Sequence, residues 1–215
     1  FYAPNIDITS NYQEFISYLL GGIGVLLILG VLVRSAAVTL AVLYLFSFFG
    51  GEPLLILEHV EYLGLAGYLA LAGGGHARVT IMDQFDINEL RKYSHYAVTF
   101  IRVGTGLGLS ILALTEKLLN FSDAQQFLNE HNWNLLAPLG ASDRMFIIIA
   151  GIVELGVGLS LIFNIGTRLT TFALLGLFIT TAVLLGMDEV IGHMFAVGVV
   201  MAVWTNFPKE KAVIV

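Results

Sequence analysis

Glu154 stands inside an apolar run, ten residues after Arg144 and eleven before Ile165. A helix rises about 1.5 Å per residue, so the carboxyl sits near the middle of that run. An ionisable group at such a depth in a membrane is costly and points to function or to a buried partner. As a functional group Glu154 is a proton donor or acceptor; its plainer role is a hydrogen bond across helices. His59 and His193 each lie about one turn inside an end of an apolar run. Two imidazoles on equivalent helices could hold both axial positions of a haem or share a metal, with Glu58, Glu61, Asp188 and Glu189 nearby. There is no tight ligand spacing such as His-x-x-x-His, and an ordinary interhelical hydrogen bond is the plainer reading. Glu116 and Lys117 are adjacent, and neighbours on a helix point about 100° apart, so they need not pair with each other. Lys117 is expected to reach the membrane interface along its apolar stem.

Other motifs are structural. Gly104, Gly106 and Gly108 do not follow a strand, which rejects a dinucleotide fingerprint. Gly22, Gly24, Gly156 and Gly158 are expected to let helices approach closely. Arg34 and Arg168 fall at tight turns, where a cation complements a helix C-terminus. No Ser-His-Asp arrangement or phosphate loop is visible.

The elements that must position these residues are set by composition. Of 215 residues, 57% are hydrophobic and 12% charged, and mean hydropathy is +0.86. A soluble domain carries about 25% charged residues. Half that charge cannot coat a soluble globule, whereas lipid as solvent removes the need. The net charge of −6 is spread over short loops, with no basic stripe for nucleic acid. Cysteine is absent, which excludes disulfides, thiolate metal sites, iron–sulfur clusters and a cysteine nucleophile. Phe1 does not open a signal peptide, so the expectation is a processed N-terminus or an incomplete chain.

A spanning helix needs about 20 apolar residues. The sequence predicts an all-α polytopic transmembrane bundle of about seven spans: Phe15–Val33, Ser35–Phe49, Leu54–Ala72, Tyr96–Leu119, Arg144–Ile165, Leu169–Leu185 and Val190–Phe207. Asn120–Asp143 reads as an interfacial loop or a short helix lying on the membrane. Seven spans put Arg34, Arg78, Arg91, Lys92, Arg102, Arg168, Lys209 and Lys211 on one side and only Lys117 and Arg144 on the other. The positive-inside rule then makes the first side cytoplasmic, with Phe1–Gln13 outside and the C-terminus inside.

A shift of 134 residues superposes Gly22 on Gly156, Gly24 on Gly158, Arg34 on Arg168, His59 on His193 and Gly64 on Gly198. These matches predict a parallel internal repeat of a three-helix unit, Phe15–Ala72 and Arg144–Phe207, of the kind found in some transporters. Chance coincidence in a Gly/Leu-rich chain is the alternative.

The second half resembles the DoxX family. Phe100-Ile-Arg102-Val-Gly104-Thr-Gly106-Leu-Gly108, continuing to Glu116-Lys117, is similar to that family's first helix. Ile152-Val-Glu154-Leu-Gly156-Val-Gly158, followed by Gly166-Thr167-Arg168, is similar to its second helix and turn. The resemblance implies a complete four-helix DoxX-like unit over 96–215 and an incomplete one over 1–95. The first unit lacks an opening helix, which upstream sequence or a partner would supply, and has Leu20 and Val33 where the second has Glu154 and Thr167. The family includes the membrane subunit of thiosulfate:quinone oxidoreductase. The resemblance therefore implies an integral subunit of a quinone-linked redox complex, in a prokaryotic plasma membrane, alongside other membrane subunits. Quinone is the implied cofactor, with Glu154 as the proton-handling residue and His59, His193, Glu116 and Lys117 as its binding set. Haem or metal at His59 and His193 is the lesser expectation. Two rival readings are a non-catalytic scaffold for a membrane enzyme and a small-solute carrier. Whether the chain is itself an enzyme stays open.

Overall fold

The computed structural model describes residues 10–73, 87–131, 133–185 and 187–206. They form helices and turns, with no strand among the described residues. The helices are α1 (Ser10–Ile28), α2 (Val33–Phe46), α3 (Pro53–Glu58), α4 (Glu61–Ala72), α5 (Ala97–Leu112), α6 (Phe121–His131), α7 (Asp143–Phe163), α8 (Thr167–Leu185) and α9 (Met187–Asn206). Two helical stretches are long and apolar enough to cross a membrane, Glu89–Leu119 and Asp143–Phe163. Shorter apolar helices cover Phe15–Ile28, Val33–Phe49, Thr167–Val183 and Ala196–Thr205. Ile28, Phe49, Leu169 and Val183 point outward from these helices, as side chains facing lipid would.

The expected third span is corrected by the structure. Leu54–Ala72 is not one helix but two, α3 and α4, separated at His59–Val60. Pro53 starts α3 at a position where its missing N–H is harmless. At the break the amides of His59, Val60 and Tyr62 bond the carbonyls of Ile56, Leu57 and His59, three residues back instead of four. The tightened turn interrupts the regular ladder and marks a site under local constraint. A second irregularity follows α5, which continues as a π-helical turn over Ala113–Leu119.

Two turns share one backbone pattern. Gly30 (φ 67°) and Leu32 (φ 51°) lie between α1 and α2; Asn164 (φ 60°) and Gly166 (φ 53°) lie between α7 and α8. The amides of Gly30, Val31 and Ala36 bond Leu27, Leu26 and Leu32, and those of Asn164, Ile165 and Thr170 bond Leu161, Ser160 and Gly166. Each turn begins with a Schellman closure whose left-handed position suits glycine or asparagine.

α5 is the central element, packed against α4 on one side and α7 on the other. Ile101, Val157, Leu161, Leu174, Val199 and Val203 form the buried core that joins it to α7, α8 and α9. Trp204 Nε1 donates to Thr171 Oγ1 at 2.8 Å and ties α9 to α8. The start of α7 is capped by Ser142 Oγ, which accepts from Met145 N at 3.3 Å. Asn134 Nδ2 donates to Asp143 Oδ1 at 2.9 Å and holds the preceding loop to the same helix end.

Candidate functional site

Glycines on α5 set how closely its neighbours come. A Cβ on Gly64 would lie 2.7 Å from Gly104 Cα, so α4 and α5 touch backbone to backbone. A Cβ on Gly106 would lie 2.6 Å from Gly158 O on α7. Gly104 and Gly108 thus face α4, while Gly106, two residues from each, faces α7. The expectation for small residues holds at Gly158 but not at Gly22, Gly24 or Gly156, whose Cβ positions meet nothing within 4 Å. Gly156 is on the exposed face of α7, where no helix among the described residues is packed against it.

This close packing brings the polar residues together. Lys117 on the π-helical turn donates to Glu154 Oε2 on α7. Gly151, one turn earlier on α7, makes the approach possible: a Cβ there would lie 3.2 Å from Lys117 Cβ. The expectation that Lys117 extends to the interface is therefore corrected. A regular helix would carry it onward, but the wider π turn and the missing side chain at Gly151 let it turn inward. Glu154 is 14% exposed and Lys117 25%, so the pair is largely withdrawn from solvent. Glu116, at the exposed rim, lies within electrostatic reach of Lys117, Glu154, Glu58 and His59.

The broken third span supplies the other wall. His59 Nδ1 lies 3.3 Å from Glu61 Oε1. Glu61 Oε2 is buried against Gly108, where it has no hydrogen-bond partner. Glu58 is 8% exposed. Tyr44 O–H donates to Ile56 O at 2.6 Å and fixes α3 to α2. His59 and Glu116–Lys117 are thus brought to one region with Glu154, while Glu58 and Glu61 join them. In the sequence these two acids stand out only as neighbours of a histidine. Three ionisable groups within four positions of an apolar run are the signal that marks them.

His193 lies on α9, but its side chain is outside the described residues. Among the described residues no group of three or more histidine, aspartate or glutamate side chains could hold a metal ion. Arg34 is buried with its guanidinium against Gly73, the residue that ends α4 at φ +74°. A cation there offsets the partial negative charge of the helix end, as expected for it.

Residues 97–187 match the DoxX family model. This segment is similar to the DoxX domain. It contains α5, the π-helical turn, α6, α7 and α8, and with them Glu116, Lys117 and Glu154. Glu58, His59 and Glu61 approach the DoxX domain from outside it. No curated protein and no solved structure matches the chain. The apolar composition, the two long apolar helices and the DoxX domain agree on a membrane-associated helical protein.

Proposed function

We propose that the chain is an integral membrane subunit of a quinone-linked redox complex, with the Lys117–Glu154 pair handling protons at the quinone. The observation that carries this reading is the pairing of Lys117 with Glu154 inside the DoxX domain. A quinone takes up protons as well as electrons when it is reduced. Lys117 and His59 can donate hydrogen bonds toward a carbonyl oxygen, and Glu154 can take or give a proton at the same place. Lys117 meanwhile holds the Glu154 carboxyl in one position. The chain has no cysteine for a thiolate or iron–sulfur centre, which supports delivery of electrons to the quinone by another subunit of the complex.

The same reading includes seven spans, a cytoplasmic C-terminus and two DoxX-like units in parallel. The eight-to-two division of lysines and arginines supports the orientation. The matching turns at Gly30–Leu32 and Asn164–Gly166, 134 residues apart, support the repeat.

Glu154→Gln tests the proposal, because the amide keeps size and hydrogen bonding but carries no titrating proton. Quinone-dependent turnover of the assembled complex should fall roughly 10²-fold or more, with abundance unchanged. Full turnover at normal abundance removes Glu154 from the chemistry. One observation favours a second reading, a small-solute carrier: the interrupted third span beside a π-helical turn resembles the discontinuous helices that line transporter sites.

A further inference from the structure

We propose that the seam between α5 and the α7–α8 turn holds the phosphate headgroup of an anionic phospholipid, with Arg102 as its inner contact and Arg168 at the rim. α5 and α7 run antiparallel: Gly151 meets Leu118, Gly158 meets Ser110, and Gly106 meets Ile162. One turn nearer the start of α5, this register sets Arg102 beside the turn that holds Asn164 and Gly166. Arg102 lies between Val98, which packs on the core that α5 shares with α8 and α9, and Gly106, which faces α7. Its side chain therefore enters the seam between those helices and is only partly exposed. Its Nε is buried without a hydrogen-bond partner, and its guanidinium forms no ion pair among the described residues. No acidic side chain among them lies within electrostatic reach of it. Glu89, a described acid at this end of the bundle, is thirteen positions earlier on the same helical stretch, roughly 20 Å away.

A guanidinium inside an apolar helical stretch needs a counter-charge or a route to the headgroups. The end of α7 supplies only part of this. Its partial negative charge favours a cation, but the closing carbonyls of Ser160 and Leu161 already accept from Ile165 N and Asn164 N. The buried hydroxyls of Thr170 and Thr171 donate to Ile165 O and Arg168 O and carry no charge. A lipid phosphate suits the depth of the site. Arg102 stands five residues after Ala97, about 7 Å into α5. Its Cβ leans toward the start of the helix, so the side chain runs back toward the level of Tyr96 and Trp204. Both rings are about half exposed at this end of the bundle, as aromatic residues at headgroup level are. Ile165 and Leu169 point outward beside the seam and offer a surface to acyl chains. Arg168 is exposed in the first turn of α8, so the headgroup meets two arginines, and each can grip phosphate through paired N–H donors. Arg91 and Lys92 at the same end add attraction for anionic lipid. Basic pockets between membrane helices bind lipid headgroups in this way.

The site rests on the membrane reading and not on the quinone. Thermal unfolding of the full chain in detergent tests it, with phosphatidylglycerol, phosphatidylcholine or inorganic phosphate added, and native mass spectrometry counts the lipid that stays bound. Phosphatidylglycerol should raise the unfolding temperature of the wild type and be retained, and phosphatidylcholine should do so less. Arg102→Gln should bind phosphatidylglycerol about fivefold more weakly. Arg102→Lys should fall between the two, since it keeps the charge but loses the planar fork. Equal retention by Arg102→Gln and the wild type overturns the site, as does equal stabilisation by phosphatidylcholine. Inorganic phosphate that stabilises as well as the lipid overturns the lipid in favour of a soluble anion. A counter-charge within the chain also overturns it: Asp83→Asn, Asp86→Asn or Glu210→Gln, at positions outside the described residues, would then lower the unfolding temperature as much as Arg102→Gln does, with no response to lipid. Should Arg102→Gln fail to fold, Arg168→Gln makes the same comparison, because its side chain is exposed. Quinone turnover is not read, so failure here leaves the proposed function standing.

Discussion

Lys117 and Glu154 are 37 residues apart in sequence and directly paired in the fold. Neither is placed there by its own helix alone. The π-helical turn swings Lys117 inward, and the absent side chain at Gly151 admits it. Lys117→Met should therefore strand Glu154 in a poorly solvated place. Breaking a buried pair from one side costs about 3–5 kcal/mol, and the partial exposure of this one puts it at the lower end, about 3 kcal/mol. Thermal unfolding in detergent measures the effect. Adding Glu154→Leu to Lys117→Met should recover part of the stability, because the unpaired charge is gone. Additive destabilisation in the double variant would show that the two residues do not act as a pair.

Gly151 offers a way to move the pair without touching it. Gly151→Val puts carbon where Lys117 Cβ and Leu118 pack, at 3.2 Å and 2.9 Å from the first added atom. The π-helical turn should be pushed away and Lys117 drawn out of reach of Glu154, with a fall in stability similar to that of Lys117→Met. Gly156→Ala, on the open face of the same helix, should be neutral or stabilising by up to about 1 kcal/mol. Equal behaviour of the two variants would contradict this packing.

The backbone approach between α4 and α5 is less forgiving. At Gly64 and Gly104 an added methyl meets main-chain atoms, which cannot swing aside. Gly104→Ala should reduce folded protein in the membrane, measured by fluorescence-detected size exclusion. Gly22→Ala and Gly24→Ala meet nothing and should leave the yield unchanged. A normal profile for Gly104→Ala would mean that the two helices stand further apart.

Much of the helical plan is legible because most helices of this membrane-associated chain are runs of apolar residues, the polar α6 (Phe121–His131) excepted. Glu154 stands out because a charge inside such a run has no ordinary reason to be there. The DoxX domain is readable from short motifs around Arg102, Glu116–Lys117, Glu154 and Thr167–Arg168. The break at His59–Val60 is not readable, since Leu54–Ala72 is apolar enough to pass as one helix and hydropathy does not report hydrogen-bond register. The π-helical turn is hidden for the same reason. Without it, Lys117 reads as an interface residue, and its partner 37 positions away cannot be chosen from the other acids. Arg34, by contrast, is predictable at a helix C-terminus, because a cation in a tight turn has few other uses.

The absence of cysteine makes orientation simple to test. Ser122 is exposed on α6, and a cysteine placed there is the only thiol in the chain. A membrane-impermeant maleimide should label Ser122→Cys in intact cells and label Glu210→Cys only after lysis. The reverse pattern would invert the bundle and with it the reading of Arg34, Arg102 and Arg168 as cytoplasmic.

The two matching turns make a finer prediction about the repeat. Gly30 at φ 67° and Asn164 at φ 60° hold the same left-handed position at the ends of α1 and α7. Asparagine tolerates that region, whereas a β-branched residue is strained there by about 1–2 kcal/mol. If the turns are equivalent, Gly30→Asn should be accepted with little change in unfolding temperature, and Gly30→Val should lower it. The exchange is not fully symmetric. Asn164 Oδ1 accepts from Thr167 Oγ1 at 2.6 Å, and the residue 134 positions before Thr167 is Val33, which has no hydroxyl. Asn164→Gly should therefore remove that bond, about 1 kcal/mol, while Gly30→Asn adds nothing comparable unless Val33→Thr accompanies it. Unfolding temperatures for Gly30→Asn, Val33→Thr and their combination measure this directly. A combined variant more stable than the sum of its parts supports one turn used twice. A Gly30→Asn variant as damaged as Gly30→Val would show that the two turns only look alike.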